Sequence, residues 1–274
     1  MSSKFLIFAG ARTGSVTLSH CVKHTIIEPG QDWSKVIIDE PFTQPLKLPE
    51  PWRQYIIDKC AGLNIDLEDG SRGKHVINRT SISQLYKLLD IIYCDHVGIK
   101  HIYNQNYMWF NHALLDYAAY NGIKIIHLHR DNIYDTILSG FMAQQEGIWS
   151  THTDEKRQVV DNHIYKPIDL QLFCNRVRAE QKHYRGHVRY IALKNIDTMK
   201  IVYEEFLGSD MSLDERVSIF TKALNYIGYE YIDNIPAVLD VLHPKTKQHT
   251  DTHYDKIPNI KEIYDWVERQ DYNK

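Results

Sequence analysis

Short apolar runs alternate along this chain with stretches whose apolar residues recur at helical spacing. Lys4 to Ala9 reads as a buried strand, Gly10 to Gly14 as a tight loop and Ser15 to about Lys23 as a helix, and Val36 to Asp39 gives a second short strand. A proline-marked segment holding Pro41, Pro45 and Pro49 follows, then a helix from Pro51 to Cys60, with Pro in its first turn and Gly62 beyond its end. Ser81 and Gln84 stand at the two ends of a capping box that opens a helix with Leu85, Leu88, Leu89 and Ile92 on one face. Ile99 to Tyr103 predicts a strand, and Asn106 to Tyr120 a helix closed by Gly122. Ile123 to His129 is the most strand-like run, with a helix from Ile133 to about Gln145 behind it. Further on come a long helix from Asp169 to Tyr184, strands near Tyr190 and Ile201, and helices starting at Ser212, whose box closes on Glu215, and at Asn259. Strands alternating with helices imply an α/β fold, a parallel sheet covered by helices on both faces. No repeat, low-complexity tract or long linker divides the sequence, so 1–274 is read as a single domain.

Composition adds exclusions. A hydrophobic fraction of 43% with 24% charged residues is that of a globular chain able to bury a core. The net charge of -3 supplies no positive field for nucleic acid, so an anionic ligand must be held by a few placed residues. The apolar run from Phe5 to Gly10 is too short for a signal segment or a membrane span, which gives the expectation of a cytoplasmic protein. Cys21, Cys60, Cys94 and Cys174 show no metal-ligand spacing and are read as reduced and mostly structural. His127 and His129 form an H-x-H on one strand face, which a third ligand could turn into a metal site; a hydrogen-bonded polar pair near the ligand is the preferred reading.

The chemistry starts at Phe5–Leu18, where a strand ends in a glycine-flanked loop that opens directly into a helix. Amides of a helix's first turn have no intrahelical partners and lie at the positive end of its dipole, so such a loop can hold phosphate oxygens without net protein charge. Ser15 and Thr17 can add hydroxyls, and Arg12 a guanidinium fork. Gly10 and Gly14 are separated by three residues and no Lys-Ser/Thr pair follows, so the loop is not a Walker A motif. The alternatives are a P-loop kinase, a non-catalytic nucleotide-binding module, and a plain strand-to-helix turn whose Ser caps the helix.

Arg12-Thr13-Gly14-Ser15-Val16-Thr17-Leu18 resembles the 5′-phosphosulfate loop of the sulfotransferases that use 3′-phosphoadenosine 5′-phosphosulfate (PAPS). Val16 and Thr17 depart from that pattern: one expected hydroxyl is replaced by a methyl group and the other is shifted by one position. Ile125 to Ala143 resembles the family's 3′-phosphate element, in which an Arg leaving a strand and a Ser in the next helix grip the phosphate; Arg130 and Ser139 take those positions, nine residues apart. That separation, and the continuation to Trp149, resemble the bacterial trehalose sulfotransferase-like branch. Gly98–Gln105 and Lys200–Leu207, the latter strand-like throughout, are similar to two further elements of the group.

The resemblance implies a sulfotransferase fold and in-line sulfuryl transfer from PAPS to the hydroxyl of a carbohydrate or other small-molecule acceptor, with no metal required. It implies Arg12, Thr13, Gly14, Ser15, Val16 and Thr17 around the 5′-phosphate, with Arg12 stabilising the leaving group, and Arg130 with Ser139 around the 3′-phosphate. It also implies a Glu-Pro carboxylate as base, for which the chain offers Glu28 and Glu40. Glu28 is nearer the family's spacing, whereas Glu40 closes the Val36–Asp39 strand at the sheet edge and is favoured. His20 and His24 are runner-up bases. Lys245 and Lys247 lie in a late basic segment of the kind that closes over the nucleotide in this family, and Trp33, Trp52, Tyr55, Trp109 and Trp149 are candidate stacking surfaces for an acceptor.

Overall fold

The computed structural model describes residues 4–26, 36–42, 52–65, 80–149, 154–230, 236–243 and 251–271. In chain order the elements are β1 (Phe5–Ala9), α1 (Ser15–Ile26), β2 (Ile37–Asp39), α2 (Trp52–Gly62), α3 (Ile82–Asp95), β3 (Gly98–Ile102), a 3-10 turn (Tyr103–Gln105), α4 (Met108–Tyr120), β4 (Lys124–His129), α5 (Ile133–Glu146), α6 (Asp154–Asn162), α7 (Leu170–Lys194), β5 (Thr198–Val202), α8 (Tyr203–Leu207), α9 (Leu213–Tyr226), α10 (Pro236–Leu242), α11 (Asp251–Tyr254) and α12 (Ile260–Asp271).

The strands form one all-parallel sheet in the order β2-β3-β1-β4-β5. Successive side chains of a strand point to opposite faces. In β1, Phe5, Ile7 and Ala9 pack with Leu18, Cys21 and Val22 of α1 and with Phe220 of α9 and Val238 of α10, whereas Leu6 and Phe8 join Leu85, Leu88, Leu89 and Leu114 of α3 and α4. Both faces are thus covered, as a parallel sheet requires. Because β1 lies between β3 and β4, the loops leaving these three strands meet at one edge, where α/β sheets place their ligands.

The capping boxes at Ser81–Gln84 and Ser212–Glu215 both form. Two sequence expectations need correction. Tyr190 is helical, because α7 runs on ten residues past the expected end at Tyr184 and stops only at Asn195 in the left-handed conformation. Gly186 within it is a point of close approach, since a Cβ there would lie 2.5 Å from the Met108 methyl of α4. The apolar residues Val188 and Leu193 are exposed, so they follow the helical period and not a buried strand. The run Lys200–Leu207 likewise divides into the end of β5 and the short helix α8.

Candidate active site

The loop after β1 turns through two left-handed residues, Arg12 (φ 63°) and Gly14 (φ 80°). At Gly14 a side chain is excluded twice over, by that angle and by Leu207, whose Cδ1 would lie 2.4 Å from an added Cβ. Thr13 is buried and donates its hydroxyl to the Gly10 carbonyl at 2.7 Å, so this side chain braces the turn. The first helical bond of α1 is Leu18 N–H to the Gly14 carbonyl, 3.0 Å, which leaves the amides of Ser15, Val16 and Thr17 ahead of the hydrogen-bonded ladder. Ser15 is buried; Val16 and Thr17 are half-buried, as suits residues that contribute backbone at a loop mouth.

Arg12 reaches across to the second expected anchor. Its Nε donates to Ser139 Oγ of α5 at 3.0 Å and its NH1 to the Trp149 carbonyl at 2.7 Å. Arg130, leaving β4, is 9% exposed; it bonds Asp135 at 2.8 Å, lies 3.5 Å from Glu204 and stacks at 4.5 Å over the ring of Tyr203. The two arginines share their surroundings: Tyr203 and Tyr254 act on both, and each guanidinium is felt by the other's neighbours. Burial nevertheless leaves Arg12 below its ordinary pKa, while Tyr254, Tyr203, Asp135 and Glu204 overcome burial and hold Arg130 above it. A small cavity lined by Thr13, Arg130, Thr136 and Glu180, among others, joins the loop to the strand end.

The carboxylate corner lies at the other side of the loop. Glu40 follows β2 in a left-handed conformation (φ 55°), donates its N–H to the Lys100 carbonyl at 2.7 Å and accepts from Lys100 Nζ at 2.9 Å on Oε1. Lys100 is buried in the middle of β3 and also faces Asp39, which accepts from Ser19 and Lys23 of α1. Burial would raise the Asp39 carboxyl, but Lys100 and Lys23 together hold it down at about 2. Glu28, Trp33, Lys245 and Lys247 lie outside the described residues, as does the side chain of Trp52. His20 and His24 are half-buried on α1. Tyr55 bonds Asp95, and Trp109 sits exposed on α4, whereas Trp149 is brought to Arg12.

His127 and His129 point to the α4–α7 face. His129 bonds Asp131 and stacks on Tyr184, and burial, followed by His129 and Lys200, pushes His127 down to about 3. Among the described residues no group of three or more His, Cys, Asp or Glu side chains is arranged to hold a metal ion. The described cysteines are free, and no described helix is long and apolar enough to cross a membrane.

Residues missed by sequence reasoning include Lys100 as a partner of Glu40, Asn104, Glu180, Tyr203 and Tyr254. The signal available for Lys100 is a charged residue set within an apolar strand whose positions face the core. No curated protein matches the chain. Residues 100–269, which carry the Arg130–Ser139 element, match the family model described as Stf0 sulphotransferase, and the chain therefore belongs to the Stf0 sulphotransferase family.

Proposed function

We propose that this chain, acting as one domain, transfers a sulfuryl group from PAPS to the hydroxyl of a carbohydrate or other small-molecule acceptor. The S–O bond to the bridging phosphate oxygen breaks as the bond to the acceptor oxygen forms, the acceptor proton passes to Glu40, and adenosine 3′,5′-bisphosphate leaves. Charge developing on the bridging oxygen falls on Arg12 and the first-turn amides of α1. Arg130 and Ser139 take the 3′-phosphate, where a planar fork pairs with two oxygens. Glu40 is assigned as base in preference to Glu28: Lys100 fixes one of its oxygens at 2.9 Å, and the other is assigned to the acceptor proton. These charges are supplied by the protein, so the reading asks for no metal.

The observation that carries the proposal is the 3.0 Å bond from Arg12 to Ser139, which supports reading the two proposed phosphate elements, 127 residues apart, as one site. Backbone strain supports it. Of the four described non-glycine residues with positive φ, Asn64 and Asn195 are of the type that tolerates that conformation, and the other two are Arg12 and Glu40. Thermal-shift titration tests the reading: adenosine 3′,5′-bisphosphate without magnesium is expected to raise Tm, and a preference for magnesium-ATP would favour a kinase instead.

A further inference from the structure

The loop is also held by a polar strut that the chemistry above does not use. The Ala11 N–H donates to Asn104 Oδ1 at 3.2 Å, and Asn104 Nδ2 donates to Glu180 Oε2 at 2.9 Å. Asn104 sits in the 3-10 turn after β3 and Glu180 at mid-length in α7, so three distant segments meet at one amide. Glu180 is 8% exposed and lines the same cavity as Thr13 and Arg130.

We propose that Glu180 is a positioning residue for the phosphate loop, acting through Asn104. An Asn side chain presents an acceptor at one end and donors at the other, and turned the wrong way it would set its NH2 against the Ala11 N–H. Glu180 supplies an acceptor on the far side and so selects the orientation in which Oδ1 faces Ala11. Burial raises the Glu180 carboxyl, against the Asn104 bond, and a protonated carboxyl still offers its carbonyl oxygen to Nδ2. The bond to Ala11 lies one residue before Arg12, whose left-handed backbone is unfavourable for a side chain of its size. The strut therefore fixes the entry to the strained turn, and the Ser139 and Trp149 contacts of Arg12 fix its exit.

This inference rests on the phosphate-loop reading, and its test keeps the two apart. The amide of Ala11 is followed by hydrogen exchange with no nucleotide present, and adenosine 3′,5′-bisphosphate affinity is measured on the same proteins. Glu180→Met, which keeps the volume and lacks a comparable acceptor, and Asn104→Ala are expected to speed Ala11 exchange and to weaken bisphosphate binding by about tenfold, the loss of roughly one buried hydrogen bond. Glu180→Gln, whose carbonyl oxygen replaces Oε2, is expected to stay within about twofold of the parent on both measures. The double variant is expected to be no weaker than Asn104→Ala alone, because both changes cut the same strut. In turnover the KM for donor is expected to rise while that for acceptor holds. Unchanged Ala11 exchange in Glu180→Met, additive losses in the double variant, or a Gln variant as weak as the Met variant would overturn the proposal. If the variants show that exchange pattern but the parent protein binds no bisphosphate, the positioning role stands and the nucleotide reading fails.

Discussion

The two halves of the site carry the same kind of cation in opposite conditions. On the loop side, Arg12 and Glu40 both sit in left-handed backbone, a conformation that costs a non-glycine residue about 1–2 kcal/mol, and burial holds Arg12 below its ordinary pKa. On the strand side, Arg130 leaves β4 already paired with Asp135 and Glu204 and stacked on Tyr203, and those partners hold it above its ordinary value. One half stores backbone strain, with its arginine bonded to a hydroxyl and a carbonyl; in the other half the arginine is paired with carboxylates. In the proposed reading a ligand anion relieves the first half and competes with resident carboxylates in the second, so turnover is expected to depend mainly on the loop side and affinity mainly on the strand side.

The sharpest way to break this division is Arg12→Ala. Removing the group assigned to the leaving phosphate is expected to lower kcat about a thousandfold, in the range seen when one preorganised donor is lost from a reacting centre. Near-normal single-turnover rates would show that the loop amides suffice. Glu40→Gln comes next: loss of a general base predicts a fall in kcat of about a hundredfold with bisphosphate affinity unchanged. If titration shows affinity lost in step with rate, the corner is a binding element and the base lies elsewhere, with Glu28→Gln the variant to compare. Arg130→Ala is expected to do the reverse, weakening bisphosphate binding by about thirtyfold, as for a charge-assisted phosphate contact, while saturating donor restores much of kcat.

How much of this could be read from the sequence follows the same division. The loop was legible because it is contiguous: a strand, two glycines and a helix start within Phe5–Leu18. The arginine and serine after β4 were legible for the same reason. What the sequence did not yield was any contact between segments. Lys100 reads as a strand residue, and only the pairing of β2 with β3, which sets Asp39 beside Lys100, brings the next residue, Glu40, to it as a partner. Tyr254 arrives at Arg130 from near the C-terminus with no motif around it. Tyr190 was misplaced because a short apolar run cannot distinguish strand from helix by pattern alone. Glu180 lies in a helix otherwise rich in charge, where one more carboxylate carries no signal until burial singles it out.

A layer of buried histidines packs behind both halves, against Phe8 of β1. His127 and His187 are each held down at about 3, chiefly by burial, with neighbouring histidines adding to the effect on both. Both are neutral when folded and regain an ordinary pKa near 6.5 when unfolded. A depressed histidine contributes stability that is present above about pH 6.5 and is lost as pH falls towards the folded value, at up to roughly 1.4 kcal/mol per pH unit for each group. Urea unfolding at pH 7.5 and pH 5 should therefore show stability falling with acid, and His187→Phe should flatten that slope. An unchanged slope in the variant would place the acid sensitivity elsewhere.

The smallest expected effect tests competition within the strand half. Asp135 accepts from Arg130 at 2.8 Å while being 27% exposed, so the pair is partly solvated and its worth is modest. Asp135→Asn keeps the shape and an acceptor oxygen but removes the charge that an incoming phosphate must displace. Bisphosphate affinity is then expected to rise about threefold, in keeping with the worth of a partly solvated ion pair. At high salt, where that pair is screened, the difference between variant and parent should shrink. A loss of affinity instead would mean that Asp135 orients the guanidinium more than it competes for it, and the strand half would then be preorganised by its acids as well as opposed by them.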